Sequence, residues 1–338
     1  TYFSDPGFSL QATVINTYDG SSWEVKATPK IIAGTQSRCY GNIFFYPSND
    51  PNRYFVSVWQ NGIYEVKDDV MYRQYREASK TGSYTTFHAQ PDSKGNIWSI
   101  PWGESNYRVY TKDFIENAAP GQNYTTGGIK TKEIIPHGAT WMHTMRIAKK
   151  NDLKIFWKWA DKIQFALEKS DNLETADFDY KAYSSFIDQD GKSYAWYDVY
   201  DIVSDNNGMV WLGTLNGVVY FDPTKVFDDD FHVYRPKVPR NDGTSSADYL
   251  LDGIRVNKIT VDAQNRKWIA TNSAGLFCVS ADGKEIIEEH NTDNSILPSN
   301  QLYSVCCNTK SGSVFVGPST GGVYEYQPSS DGGGSSYS

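Results

Sequence analysis

Six stretches of the chain repeat one phrase: an aromatic-centred apolar run, a polar turn ending near a glycine, and a second apolar run. They are Tyr54 to Val66, Ile97 to Tyr110, Ile155 to Phe165, Val210 to Phe221, Lys267 to Val279 and Val314 to Tyr326. The interval from one to the next is roughly 43 to 58 residues. A unit of that length with strand character throughout cannot bury its own apolar faces, so neighbours of the same kind must cover them. The expectation is an all-β chain built as a β-propeller of four-stranded antiparallel blades. Six complete repeats are counted directly, and a seventh blade needs the N-terminal partial unit to stand alone.

The 338 residues could hold two ordinary domains, yet closed all-β structures routinely use this length as one. The repeat favours a single domain over residues 1–328. Aromatic residues make up 15% of the chain, with 24 Tyr, 16 Phe and 10 Trp, and they suit pleated, half-buried surfaces. The formal net charge is −8 and no run of Lys or Arg forms a phosphate-neutralising patch, which argues against nucleic acid as a partner. No apolar run approaches the roughly 20 residues that a membrane span needs. The cysteines, Cys39, Cys278, Cys306 and Cys307, form no CxxC pair, so no zinc site and no cofactor is expected. Cys306 and Cys307 are adjacent on a strand and must point to opposite faces.

Each repeat extends on both sides into a blade, most clearly over Asn257 to Asn291. Asn257 to Asp262 alternates as an inner strand, Arg266 to Thr271 is the second, Gly275 to Ser280 the third and Lys284 to His290 the outer one. The first turns, at Pro91 to Gly95, Ser204 to Gly208 and Asn308 to Gly312, are rich in residues that form Asx turns or accept positive φ. Their Asp and Asn side chains are read as turn chemistry. Residues 329–338 read as a Gly/Ser-rich linker or tail. Tyr2 to Ser4, Thr13 to Tyr18 and Ser22 to Ala27 read as strands of a blade lacking its first strand, so N-terminal strands would meet the C-terminal repeat and remove exposed edges.

The stretches Val210-Trp-Leu-Gly-Thr-Leu-Asn-Gly-Val-Val-Tyr-Phe-Asp-Pro223 and Asp262-Ala-Gln-Asn-Arg-Lys-Trp-Ile-Ala-Thr-Asn272 resemble the two-component-regulator propeller repeat of bacterial periplasmic sensors. Arg240 to Gly253 and Asn294 to Asn300, set between blades, resemble the propeller region of PorZ-like proteins of the type IX secretion system. The resemblance is strong over Tyr200 to Tyr326 and thinner before it. The third repeat departs most, with Lys162 where other repeats place glycine and a charged insertion from Glu168 to Tyr183. The resemblance implies seven blades and a place in the periplasm or at the outer-membrane surface of a Gram-negative bacterium. It also implies a non-enzymatic binding and assembly role, with surface glycan, lipopolysaccharide or a protein of the envelope secretion or sensing machinery as partner. An oligosaccharide-sensing domain of a hybrid two-component system is the alternative, and a propeller lyase a second one.

In a propeller, the connections from second to third strand and from outer strand to the next blade lie on one face, where ligands sit. Trp59, Trp102 and Trp159 fall beside the first kind of connection, and Trp141, His143 and Trp196 in the second. Aromatic rings stack on the apolar faces of sugars, while Asn61 and Glu104 can bond hydroxyls. The competing expectation is that these tryptophans pack between blades as core. His137 and His143 lack the HExxH spacing, so no metal site is expected. Together with Glu104 they keep the lyase alternative open. Asp188-Gln-Asp-Gly-Lys192 begins like a calcium loop but lacks the third acidic position and the distal Glu, which favours a hairpin turn. The acidic run Phe227 to His232 reads as a solvated loop.

Overall fold

The structure, a computed structural model, describes residues 15–18, 21–26, 43–45, 50, 52–58, 62–68, 70–76, 86–101, 106–124, 127–132, 144–157, 162–196, 198–240, 246–328 and 336–337. The chain divides into two compact units. One comprises Thr1–Ile147, Lys154–Lys158 and Gln164–Lys181, the other Ala148–Leu153, Trp159–Ile163 and Ala182–Ser338.

The first unit carries two complete sheets and most of a third. The first sheet orders its strands Asn123–Tyr124, Val70–Tyr75, Gly62–Lys67, Arg53–Val58 and Ile43–Phe45. All its pairings are antiparallel except that of Asn123–Tyr124, which runs parallel to Val70–Tyr75. The second orders Ile129–Lys130, Arg108–Tyr110, Ile97–Pro101 and Thr86–Pro91. A short helix, Lys112–Asn117, follows Arg108–Tyr110, its N-terminus capped by the Thr111 hydroxyl, which accepts from the Phe114 N–H. The third sheet orders Thr144–Ile147, Lys154–Trp157, Ile163–Glu168 and Phe178–Tyr183. Glu168 to Tyr183, expected as a charged insertion, is the third-to-outer-strand connection and the outer strand itself. Its loop is closed by the Lys169 N–H donating to the Asp177 carbonyl. Ile15–Tyr18 and Trp23–Lys26 form a two-stranded antiparallel pair.

The second unit holds the three sheets that the sequence repeats mark most clearly. The fourth has Val199–Ser204, Val210–Thr214 and Gly217–Phe221. The fifth has Val256–Val261, Lys267–Thr271, Leu276–Val279 and Ile286–His290, and agrees with the expected blade to within two residues at every strand end. The sixth has Leu302–Cys307, Val314–Pro318, Tyr324–Gln327 and Ser336–Tyr337. Ser336–Tyr337, in the stretch read as a linker, takes the outer position through Tyr326↔Tyr337 and Gln327↔Ser336. At the open edge of the fourth sheet, Tyr220 and Tyr234 exchange backbone hydrogen bonds of 2.9 and 2.8 Å. The hairpin of Phe186–Ile187 and Ser193–Tyr194 continues outward from there, because the Val233 N–H donates to the Ile187 carbonyl at 2.9 Å.

Each repeat supplies the second and third strands of one sheet, and both faces of those strands are covered. Adjacent residues therefore divide between two cores. Trp268 and Cys278 join Leu302, Val305 and Val316 of the sixth sheet, while Ile269, Phe277 and Val279 join Trp211 and Val218 of the fourth. In the first unit Trp98 packs with Met145 and Phe156 of the third sheet, and its neighbour Ile97 with Phe55 and Ile63 of the first. Continuous apolar strands are what sheets covered on both sides require. The glycine that opens the third strand has an equally local cause. Gly275 sits at φ +85°, and a Cβ there would lie 2.2 Å from the His290 carbonyl oxygen of the next strand.

Three of the first turns are fixed by aspartate, as read from the sequence, and the aspartate does more than close the turn. One carboxylate oxygen accepts backbone N–H groups two and four residues on. These are Lys94 and Asn96 for Asp92 (2.9 and 2.8 Å), Asn207 and Met209 for Asp205 (2.9 and 3.0 Å), and Gln264 and Arg266 for Asp262 (3.0 and 2.8 Å). The other oxygen accepts the indole N–H of the tryptophan six residues on: Trp98 at 2.8 Å, Trp211 at 3.1 Å and Trp268 at 3.1 Å. Asp188 builds the same turn, but the sixth residue on is Tyr194, whose hydroxyl bonds Thr214 and Asn216 instead.

Two fully buried lysines tie neighbouring sheets to these tryptophans. Lys267 of the fifth sheet lies 4.5 Å from the Trp211 ring centre and donates to Asp205 at 2.9 Å and to the Ala281 carbonyl at 2.6 Å. Lys154 of the third sheet lies 3.9 Å from the Trp98 ring centre and pairs with Glu168. Burial alone would raise the Asp205 carboxyl. The hydrogen bonds from Lys267, Trp211 and Met209 outweigh it and hold the group below the ordinary carboxylate value.

Asp205→Ala would strand an ammonium, an indole N–H and two turn amides. It is expected to cost about 3 to 5 kcal/mol, read by thermal unfolding. Trp211→Phe keeps the Lys267–Asp205 pair and should cost about 1 to 3 kcal/mol. Because the folded-state pKa of Asp205 is depressed, its stabilisation is complete above about pH 4 and is lost as pH falls below that range. Acid unfolding of Asp205→Asn should accordingly show a shallower pH dependence than that of the unaltered chain.

Candidate functional site

In the second unit one end of the three sheets is organised by a backbone contact repeated three times. The residue before each inner strand accepts a hydrogen bond from the residue after each second strand. The Leu215 N–H donates to the Asp198 carbonyl at 3.0 Å, Asn272 to Arg255 at 2.9 Å and Ser319 to Gln301 at 2.8 Å. Each inner strand then carries a bulge at its second residue, between Val199 and Asp201, between Val256 and Lys258, and between Leu302 and Ser304. A bulge re-aims the extra residue, and here it presents Tyr200, Asn257 and Tyr303 at equivalent places. The backbone is constant from sheet to sheet while the side chains are Asp, Arg and Gln before the strand, Tyr, Asn and Tyr at the bulge, and Leu, Asn and Ser after the second strand.

These side chains are linked to one another. The Arg255 guanidinium lies 3.9 Å from the Tyr200 ring centre, and its Nε donates to Asn257 Oδ1 at 2.8 Å. Asn257 Nδ2 donates to the Leu302 carbonyl at 2.8 Å, so the residue joins the fifth sheet to the sixth. Gln301 Nε2 donates to Asn272 Oδ1 at 3.2 Å, and Ser319 meets Ser299 at 3.1 Å. Burial pushes the Tyr200 phenol above its ordinary value, with Arg255 working against that shift and Asp198 adding to it. Tyr303 is 53% exposed and Leu215 41% exposed, whereas Asn257 is buried. Below the rim, Asp201 accepts from Lys258 Nζ at 2.9 Å and from the Ile259 N–H at 3.0 Å, which fixes the fourth inner strand to the fifth.

Trp59, Asn61, Trp102, Glu104, Trp141, His143 and Trp159 lie outside the described residues, as does His137. In the sequence repeat alone, Trp59, Trp102 and Trp159 align with Leu215, Asn272 and Ser319, Trp141 with Asp198, Arg255 and Gln301, and His143 with Tyr200, Asn257 and Tyr303. Trp196 is 4% exposed and packs on Phe186 with ring centres 4.6 Å apart, inside the hairpin core beside the fourth sheet. The sequence reading passed over Tyr200, Arg255, Asn257, Asn272, Gln301 and Tyr303. Counting back four and six residues from the end of each inner strand would have found the bulge and pre-strand positions.

Asp188 to Lys192 forms the tip of a hairpin, as expected. The acidic run is a loop in which Asp228 pairs with Lys225, while Phe231 turns inward onto Phe186 and Phe221. Cys278 is buried and Cys306 exposed, and burial pushes the half-buried Cys307 thiol up to about 12. Among the described residues no three His, Cys, Asp or Glu side chains are grouped to hold a metal ion, and no helix is long and apolar enough to cross a membrane.

No protein-family model and no curated protein matches the chain. Solved structures do. PorZ, an essential bacterial surface component of the type-IX secretion system of Porphyromonas gingivalis, matches with a TM-score of 0.73 and 22% identity, over 94% of this chain and 43% of that one. The extracellular domain of a hybrid two-component system from B. thetaiotaomicron matches with a TM-score of 0.54 and 14% identity, over 92% of this chain and 37% of that one. The WD40 β-propeller domain of Doa1 matches with a TM-score of 0.51 and 10% identity, over 94% of this chain and 87% of that one. The fold is that of a β-propeller. The resemblance read from the repeats and the likeness of the fold thus point to the same two groups of bacterial proteins, and the chain spans less than half the length of either.

The rim separates structural from displayed positions. Asn257→Ala leaves Arg255 Nε and the Leu302 carbonyl without partners and should cost about 1 to 3 kcal/mol. Leu215→Ser should stay within about 0.5 kcal/mol of the unaltered chain, both measured by thermal unfolding.

Proposed function

We propose that the chain is a non-enzymatic binding module of the bacterial cell envelope, placed in the periplasm or at the outer-membrane surface, that recognises a glycan through the rim end of its sheets. One observation carries this reading: three consecutive sheets hold the same backbone contacts and bulges while the side chains they display differ. A frame that is constant in backbone and variable in side chain is suited to recognition, because the displayed residues choose the partner and little ordering is needed to bind it. The chemistry on display is aromatic and amide, with Tyr303 exposed and Asn272 and Gln301 half-buried, a combination suited to sugar faces and hydroxyls. The proposal includes Trp59, Trp102, Trp159, Trp141 and His143, which recur at matching places in the sequence of the first three repeats.

Closure of the chain into one seven-bladed propeller, with Ser336–Tyr337 completing the sixth sheet and the N-terminal strand pair as part of the seventh blade, belongs to this proposal. The likeness to PorZ supports an assembly role at the cell surface as part of this proposal. A sensing domain is the second reading, supported by the match to the two-component extracellular domain.

A glycan-array screen of the chain, followed by titration with tryptophan fluorescence as readout, tests the proposal. A saturable hit is expected, weakened about tenfold or more by Tyr303→Ala and by Trp102→Ala with the thermal midpoint retained. Absence of any saccharide binding across the array, or variants that lose stability and not affinity, would overturn it.

A further inference from the structure

We infer that the rim recognises a carboxylate of its ligand, through Arg255, so that the preferred glycan is an acidic sugar of the uronate class. This rests on the glycan-binding reading above and deepens it.

Five arginines of the chain are paired with carboxylates: Arg53 and Arg73 with Glu65, Arg235 with Asp252, Arg240 with Asp248 and Arg266 with Asp262. Arg255 has no such partner among the described residues. Its Nε is committed to Asn257 Oδ1 and its plane lies against Tyr200, but Nη1 and Nη2 meet no acceptor among the described residues. The guanidinium is half-buried, yet its two Nη atoms are not among the buried polar atoms that lack a partner, so the fork is open to a ligand from solvent.

The fork is also oriented. Stacking on Tyr200 and the bond to Asn257 remove the side-chain freedom that a surface arginine would lose on binding. Two parallel N–H groups on a fixed plane match the two oxygens of a carboxylate, which a lysine ammonium cannot do. Asn272 is tied to Arg255 by its backbone N–H, and its Nδ2 has no acceptor among the described residues, so it adds a neutral donor beside the fork. Asp198, an acid of the rim, accepts from the Val199 N–H and interacts with Tyr200. It therefore disfavours a second anionic group there and favours a ligand with one carboxylate among hydroxyls over a densely charged one.

The experiment is calorimetric titration of the whole chain with tetragalacturonate, with the same oligosaccharide reduced at its carboxyls, and with tetraglutamate, repeated on Arg255→Lys and Arg255→Ala. Tetragalacturonate should bind best, with affinity falling as salt rises, and Arg255→Lys should weaken it about 10- to 100-fold while the chain remains folded at the titration temperature. Arg255→Lys keeps the charge, so the loss reads the fork and remains informative if Arg255→Ala destabilises the chain. Equal binding of the reduced oligosaccharide, or Arg255→Lys binding tetragalacturonate as tightly as the unaltered chain, would overturn the inference and leave glycan recognition standing. Binding of tetraglutamate alone, lost in Arg255→Lys, would retain the carboxylate fork and overturn the acidic sugar as its source. No binding of any of the three would overturn the inference.

Discussion

One aspartate carboxylate per turn connects local and long-range order in this chain. Asp92, Asp205 and Asp262 each use one oxygen to close a turn and the other to hold the tryptophan six residues away. The six-residue spacing carries the chain around the turn and places the indole on the second strand, where its body fills the space between two sheets and its N–H returns to the turn. A buried indole without that acceptor would forfeit much of what its apolar area gains. Turn, strand and inter-sheet core are therefore not independent features.

Lys267 and Lys154 show the same economy across sheets. Each occupies the first position of a second strand, where the second, fourth and sixth sheets place Ile97, Val210 and Val314, and each lays its ammonium against the tryptophan of the preceding sheet. A charge can stand in an apolar row because its partners are all present: Asp205 and two carbonyls for Lys267, Glu168 for Lys154. Along the inner strands, Asp201 and Asn257 near the rim and Thr260 near the turns reach from one inner strand to the backbone of the next. The rim thus stands on strands that are joined by side chains as well as by packing.

Much of the fold was legible in the sequence because its causes are local. The repeated apolar phrase, the Asx turns and the glycine opening the third strand each answer to a turn or to burial on two faces. Glu168 to Tyr183 was misread because Phe178–Tyr183 is an outer strand with no fully buried residue, so no alternation marks it. Ser336–Tyr337 was hidden in a stretch whose composition is that of a linker, since an outer strand of two residues needs backbone pairing and little else. The rim was hidden for the opposite reason. Its sameness lies in backbone hydrogen bonds and bulges, while its side chains differ at every repeat, so residue similarity cannot find it and only counting from the strand ends does. Trp196 looked like the other loop tryptophans, yet the Phe186 hairpin encloses it, a contact made by an element that the repeat does not contain.

The account rests on the rim being a rigid frame before any ligand arrives, and native-state hydrogen exchange measures that directly. The amides of Leu215, Asn272 and Ser319, whose bonds recur in three sheets, should exchange only through large openings. They should do so at rates close to those of the turn amides of Asn207, Met209, Gln264 and Arg266, which the aspartates hold. Rim amides that exchange near the rate of unprotected peptide, while the turn amides stay protected, would contradict a preformed binding frame.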